Sequence, residues 1–153
     1  MPEGPSIVIL KEQATKFAGR TVREVSGNSR QPVARMQGLP LRDVRSWGKH
    51  FLLQFDGFAL RVHFLLFGSF RVDDPKPDAS PRLALEFDNG RLDLYACSVR
   101  FLEGELDDHY DWSLDVMGDA WDPARARRRL RESPHVIAAD ALLDQEWFAG
   151  VGN

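Results

Sequence analysis

The residues best suited to chemistry stand at the start of the chain, which opens Met-Pro-Glu-Gly-Pro-Ser. A methionine before a residue as small as proline is normally removed, and its loss turns Pro2 into a free secondary amine. Such an amine adds to an electrophilic carbon and forms an iminium. With a reference pKa of about 8, a useful fraction of it is neutral near physiological pH. Glu3, beside it, supplies a carboxyl group for proton transfer. Taken alone, these residues read more simply as a helix N-terminus with an acidic first turn.

The rest of the composition narrows the field. The only cysteine, Cys97, cannot form an internal disulfide, which fits a reducing compartment, and reads as a core residue. The four histidines, His50, His63, His109 and His135, lack metal-ligand spacing. His63 reads as a hydrogen-bonded structural residue. The net charge of −3 argues weakly against nucleic-acid binding, because an acidic total can coexist with a basic cleft. Charge is also uneven: an acidic stretch from Glu103 to Asp119 precedes an arginine run from Arg125 to Arg131, which reads as a solvated helix face. No apolar run approaches the roughly 20 residues of a membrane helix. No secretory signal is evident, so a cytoplasmic protein is expected.

These groups need elements to hold them. Ile7, Leu10, Ala14 and Phe17 share one helical face, predicting a helix from about Ser6 to Ala18 that stops at Gly19. The pattern then becomes β, with candidate strands Thr21–Ser26, Leu41–Trp47, His50–Phe55, Phe58–His63, Ser69–Val72, Arg82–Phe87, Arg91–Tyr95 and Val99–Leu102. Asp56-Gly57 and Asn89-Gly90 mark hairpin turns. Short strands with close turns point to an antiparallel sandwich or barrel. Asp122-Pro123 opens a helix through about Arg131, and Ala138–Phe148 is again helical in pattern. The expected fold class is therefore mainly β with α: a leading helix and an antiparallel β-sandwich over residues 1–120, then a helical segment over 121–153.

Several motifs occur in an order that resembles the formamidopyrimidine-DNA glycosylase and endonuclease VIII family. MPEGPS is similar to that family's MPEGPE opening. Trp47-Gly48-Lys49 resembles its RGK hairpin. HFLLFGSFRV, from His63 to Val72, resembles its void-filling loop and following strand, and MGDAWDP, from Met117 to Pro123, its interdomain segment. LLDQ at Leu142–Gln145 with AGVGN at Ala149–Asn153 is similar to its helix-and-turn signature, the most specific of the five. The likeness spans the whole chain.

The resemblance implies a role for each matching residue. Pro2 would attack C1′ of a damaged nucleotide, and Glu3 would protonate the sugar oxygen or the departing base. Lys49, otherwise a solvated hairpin lysine, would bind phosphate and support strand cleavage. Leu65, Leu66 and Phe67, otherwise a buried strand, would fill the gap left by the extruded base. Gly150, Gly152 and Asn153, otherwise a helix-terminating turn, would clamp a phosphate. The implied activity is excision of oxidised bases, pyrimidines above all, coupled to abasic-site (AP) lyase cleavage in base-excision repair. The implied partner is damaged double-stranded DNA, met by a monomer associated with the nucleoid, with no membrane involved. No cofactor is expected within these residues. The chain is expected to be part of a longer protein, whose remainder would complete a helix–two-turn–helix domain and add a zinc finger or its zincless equivalent.

Ser6 departs from the family, which usually has a second glutamate there, and the apolar triplet lacks the polar members often seen in the wedge. A non-catalytic relative that binds damaged or abasic DNA, and a β-sandwich interaction module, are the alternative readings.

Overall fold

The computed structural model describes residues 2–152. Helix α1, Gly4–Ala14, starts two residues earlier than the periodicity predicts, because Pro5 falls in its first turn, where the missing amide costs nothing. Its last predicted turn tightens into a 3-10 turn at Thr15–Phe17. Ile7, Leu10, Ala14 and Phe17 are buried, as their spacing requires.

Six antiparallel strands follow: β1 Glu24–Ser26, β2 Asp43–Trp47, β3 His50–Phe55, β4 Phe58–Val72, β5 Leu83–Phe87 and β6 Gly90–Glu103. They form one sheet in the order β1-β5-β6-β4-β3-β2. Backbone hydrogen bonds from Gly19 to Leu41, Leu41 to Arg20 and Val22 to Leu39 join the segments leading into the two edge strands. The sheet thereby curls around a main core that every strand from β2 to β6 feeds, with α1 packed against it. Cys97 is buried in that core, which pushes its thiol pKa up to about 11.

Eight predicted strands become six because β4 and β6 each run through an interruption. Phe64 pairs with Cys97 and Ser69 with Tyr95, so Leu65–Gly68 bulges out opposite the single residue Ala96. Ala96 takes φ of 48°. The extra residue moves the core-facing positions of β6 from Leu92 and Leu94 to Cys97 and Val99. A local alternation count breaks there, although the ladder continues. The β5–β6 turn also shifts: Gly90 pairs with Phe87, leaving Asp88-Asn89 as the two-residue loop.

The outer face of β2, β3 and β4 is covered by the chain after β6. Leu106 buries Leu52 and Ala59, with Trp47, Tyr110 and Trp112 packed around them. The buried Gln54 amide donates to the carbonyls of Phe55, Phe58 and Gly104 and accepts from Leu106 N, tying this cover to the sheet.

Helix α2, Pro123–Glu132, is capped by Asp122, whose side chain accepts from Arg125 N. Of its arginines, Arg125 pairs with Asp111 at 2.7 Å and Arg129 lies over Trp147, while Arg127, Arg128 and Arg131 are exposed. Helix α3 spans only Ala138–Leu143, short of the predicted Phe148. Asp144 ends it by accepting from Glu146 N at 2.9 Å, a side-chain turn that competes with helical pairing. No helix among the described residues is long and apolar enough to cross a membrane.

Candidate active site

Three segments distant in sequence meet at their backbones. Trp47 pairs with His50, so Gly48-Lys49 forms a two-residue turn between β2 and β3. Gly48 has φ of 56°, and a Cβ there would lie 2.9 Å from Gly150 N and 3.0 Å from Ala149 Cβ. Gly150, with φ of 101°, approaches both Gly48 and Gly4, and Gly4 N donates to Gly150 O at 3.2 Å. Side chains at these positions would hold the start of α1, the Lys49 turn and the final turn apart.

The contact sets the chemistry. Glu3 is the N-cap residue of α1, and its carboxylate Oε2 lies 3.1 Å from Lys49 Nζ. That oxygen is enclosed and has no hydrogen-bond partner among the described residues, so the ammonium pairs with it by charge rather than in hydrogen-bonding alignment. Lys49 is mostly buried, with 16% of its side chain exposed, and Glu3 is more open at 39%. The Glu3 carboxylate packs directly against Gly152, where a Cβ would strike it. Pro2 is half-buried immediately before Glu3.

The final turn is held from within by Gln145. Its Oε1 accepts from Gly150 N at 2.8 Å and its Nε2 donates to Val151 O at 2.9 Å. Asp115 and Ala149 form a parallel bridge, with Ala149 N donating to Leu114 O and Val116 N to Ala149 O.

The structure therefore gathers Pro2, Glu3, Lys49, Gly150 and Gly152 in one place. Asn153, the remaining candidate of this turn, lies outside the described residues, as does Met1. Leu65, Leu66 and Phe67 are not part of a buried strand. They project from the β4 bulge with exposures of 47%, 67% and 85%. A side chain at Gly68 would collide with Phe64 Cβ and crowd the Leu65 and Ala96 carbonyls, so the bulge needs a glycine at its base.

Beside Lys49, His50 and His63 sit opposite each other on β3 and β4. His50 Nδ1 hydrogen-bonds Tyr110 Oη at 3.0 Å. Burial, reinforced by Arg61 and His63, lowers the His50 pKa to about 4, and burial raises that of Tyr110 to about 12. The His63 pKa is lowered by burial and then by Arg61 and Lys49. Its Nδ1 is enclosed without a partner among the described residues. Sequence reasoning missed Asp115, which it counted only within an acidic stretch. This carboxylate is buried, with burial raising its pKa above the usual range. Among the described residues no group of three His, Cys, Asp or Glu side chains is placed to hold a metal ion.

Residues 1–102 match the family described as the formamidopyrimidine-DNA glycosylase N-terminal domain, and the chain belongs to that family. Endonuclease 8 2 of Mycobacterium bovis is 29% identical over 164 residues, covering 100% of this chain and 64% of its own length. A DNA-(apurinic or apyrimidinic site) lyase of Mycolicibacterium smegmatis is 29% identical over 161 residues, covering 100% and 63%. The chain thus spans just under two thirds of the length of these curated relatives. Among solved structures, a viral DNA glycosylase superposes with a TM-score of 0.85 at 21% identity, over 99% of this chain and 67% of that one. The Lactococcus lactis Fpg bound to DNA containing an abasic site superposes with a TM-score of 0.71 at 18% identity, over 99% and 64%. At such identities the structural likeness establishes the fold.

Proposed function

We propose that this chain carries the catalytic part of a bifunctional DNA glycosylase and AP lyase of base-excision repair, acting on oxidised bases and on pyrimidines in particular. The observation that supports it most is the meeting of the Glu3 carboxylate and the Lys49 ammonium, 3.1 Å apart, beside Pro2. Family membership and the names of the relatives point the same way.

In the proposed reaction the Pro2 nitrogen, freed of Met1, forms a bond to C1′ of an extruded nucleotide while the C1′–base bond breaks. The electron pair of the broken C1′–base bond leaves with the base. Glu3 protonates the ring oxygen or the departing base, the amine's own proton serves the other, and the ring opens to an iminium. The resulting iminium acidifies C2′. A C2′ proton passes to solvent as the C3′–O bond pair leaves with the 3′ phosphate, and water hydrolyses the iminium, releasing the sugar remnant and restoring the amine. Lys49 would hold the phosphate near the lesion, and the Gly150–Gly152 backbone with Asn153 a flanking one. The exposed Leu65-Leu66-Phe67 triplet would occupy the vacated stack. Apart from water, these steps call only on the chain's own groups.

The partner would be damaged duplex DNA, bound by a monomer in the cytoplasm near the nucleoid. We place the boundary of a following DNA-binding domain near residue 120 and assign any zinc to residues beyond Asn153. A non-catalytic binder of damaged or abasic DNA is the second reading, favoured by Ser6.

Borohydride reduction in the presence of an abasic-site duplex tests the first reading. Protein whose N-terminus is verified as Pro2 should become covalently trapped, and Pro2→Gly should lower trapping at least tenfold. Trapping that is absent, or equal in protein that retains Met1, overturns catalysis by the Pro2 amine. Selective binding without trapping would establish the second reading.

A further inference from the structure

The loop from β4 to β5, residues 73–81, is polar and contains Pro75, Pro77 and Pro81. Its root is fastened to the start of β6. Asp73 N donates to Arg91 O at 2.9 Å, and Asp73 Oδ1 accepts from Arg91 N at 2.8 Å. From there Lys76 lies back against β4 and β6 and grips both members of one rung of their ladder. Its backbone N donates to Tyr95 Oη at 2.8 Å and its Nζ donates to Ser69 Oγ at 2.6 Å. The ammonium also lies 4.8 Å from the centre of the Tyr95 ring.

That rung closes the bulge. Ser69 pairs with Tyr95, and regular pairing resumes with them, next to Gly68 on one strand and Ala96 on the other. The rung on the other side of the bulge is Phe64 with Cys97, and both of those side chains are held in the main core. Ser69 and Tyr95 stand outside that core, so Lys76 supplies the hold that the core does not.

Two properties suit Lys76 to this. The carboxylates just before it are engaged elsewhere, Asp73 by Lys16 and Asp74 by Arg71, so neither competes with Ser69 and Tyr95 for the ammonium. Prolines also stand on both sides of it. Proline fixes its own φ, and a residue that precedes proline is confined to extended backbone, so Pro75-Lys76-Pro77 surrenders little further freedom when Lys76 docks. The consequence reaches Leu65, Leu66 and Phe67, which project from the bulge into solvent. Groups already held in their binding position lose less entropy on binding than groups that must first be ordered.

We infer that Lys76 is a positioning residue: by holding the Ser69–Tyr95 rung it keeps the bulge projecting and preorganises Leu65, Leu66 and Phe67 for the gap left by an extruded base. Its part in DNA binding rests on the proposed function, whereas the stiffening of the bulge does not.

The test combines NMR relaxation with DNA binding. Lys76→Met keeps the apolar stem and removes the ammonium, and Ser69→Ala removes its acceptor. In the free protein, amide order parameters of residues 65–68 should fall from about 0.85 toward about 0.6 in either variant, with the rest of β4 and β6 unchanged. Order parameters that stay at the wild-type value overturn the inference, whether or not the protein acts on DNA. On an abasic duplex, Lys76→Met should weaken binding about fivefold, the worth of one ordinary hydrogen bond. Equal affinity in Lys76→Met and wild type overturns the part in DNA binding. In a chain whose triplet is replaced by alanines, Lys76→Met should cost nothing further, because what it positions is gone. A loss that persists there in full, with a salt dependence flatter by about 0.9 in log–log slope, would make Lys76 a direct phosphate contact and overturn the inference. If the wild-type chain shows no preference for abasic over intact duplex, the proposed function falls while the order parameters still judge Lys76.

Discussion

Replacing Gly48 by alanine tests whether backbone contact holds the site together. The substitution has two separable costs. The first is conformational: φ of 56° is unfavourable for an L residue by about 1–2 kcal/mol. The second is steric: the new Cβ would lie 2.9 Å from Gly150 N and 3.0 Å from Ala149 Cβ. Ala149 has little room to retreat, because it is buried and hydrogen-bonded to Leu114 and Val116 on both sides. Overpacking against such a wall typically costs about 1–3 kcal/mol. Gly38 supplies the control, since it has φ of 82° and a Cβ there would meet nothing within 4 Å. Gly38→Ala should cost only the first contribution, about 1–2 kcal/mol. Gly48→Ala should cost about 2–5 kcal/mol in urea unfolding and lower borohydride trapping at least tenfold, because the turn that moves carries Lys49. Equal costs for the two variants, with trapping unchanged in Gly48→Ala, would refute the idea that this close approach assembles the site.

Two further expectations follow from the same geometry. The lowered pKa of His50 means that, between its ordinary 6.5 and about 4, the unfolded chain binds a proton that the folded chain refuses. Stability should therefore be full above pH 6.5 and fall toward pH 4, by up to about 3 kcal/mol. His63 is shifted the same way, and Asp115, with a raised pKa, in the opposite sense. The difference between wild-type and His50→Gln unfolding curves isolates the His50 share, and parallel curves would contradict it. Phe67→Ala should leave thermal stability nearly unchanged, because the side chain is 85% exposed, yet weaken binding to an abasic duplex about tenfold in fluorescence anisotropy, as loss of a stacking side chain does. Unaltered binding would remove the triplet from any wedge role.

Much of this protein was legible one segment at a time. The 3-4-3 spacing of Ile7, Leu10, Ala14 and Phe17 determines the buried face of α1, and Asp122-Pro123 determines where α2 begins. Asp56-Gly57 announces the β3–β4 hairpin, and Pro2-Glu3 shows its chemical potential without any fold. Each of these signals acts within a few residues, where propensity and periodicity are strong. Only the tertiary structure decided that Phe58–His63 and Ser69–Val72 are one strand, because the bulge opposite Ala96 is defined by a partner strand distant in sequence. It alone decided that Asp115, one acid among many along the chain, is buried beside the final turn. It alone brought Gly4, Gly48 and Gly150 within van der Waals reach. Close backbone approach depends on what arrives from elsewhere in the chain, and a glycine looks the same in sequence whether it faces solvent or another main chain.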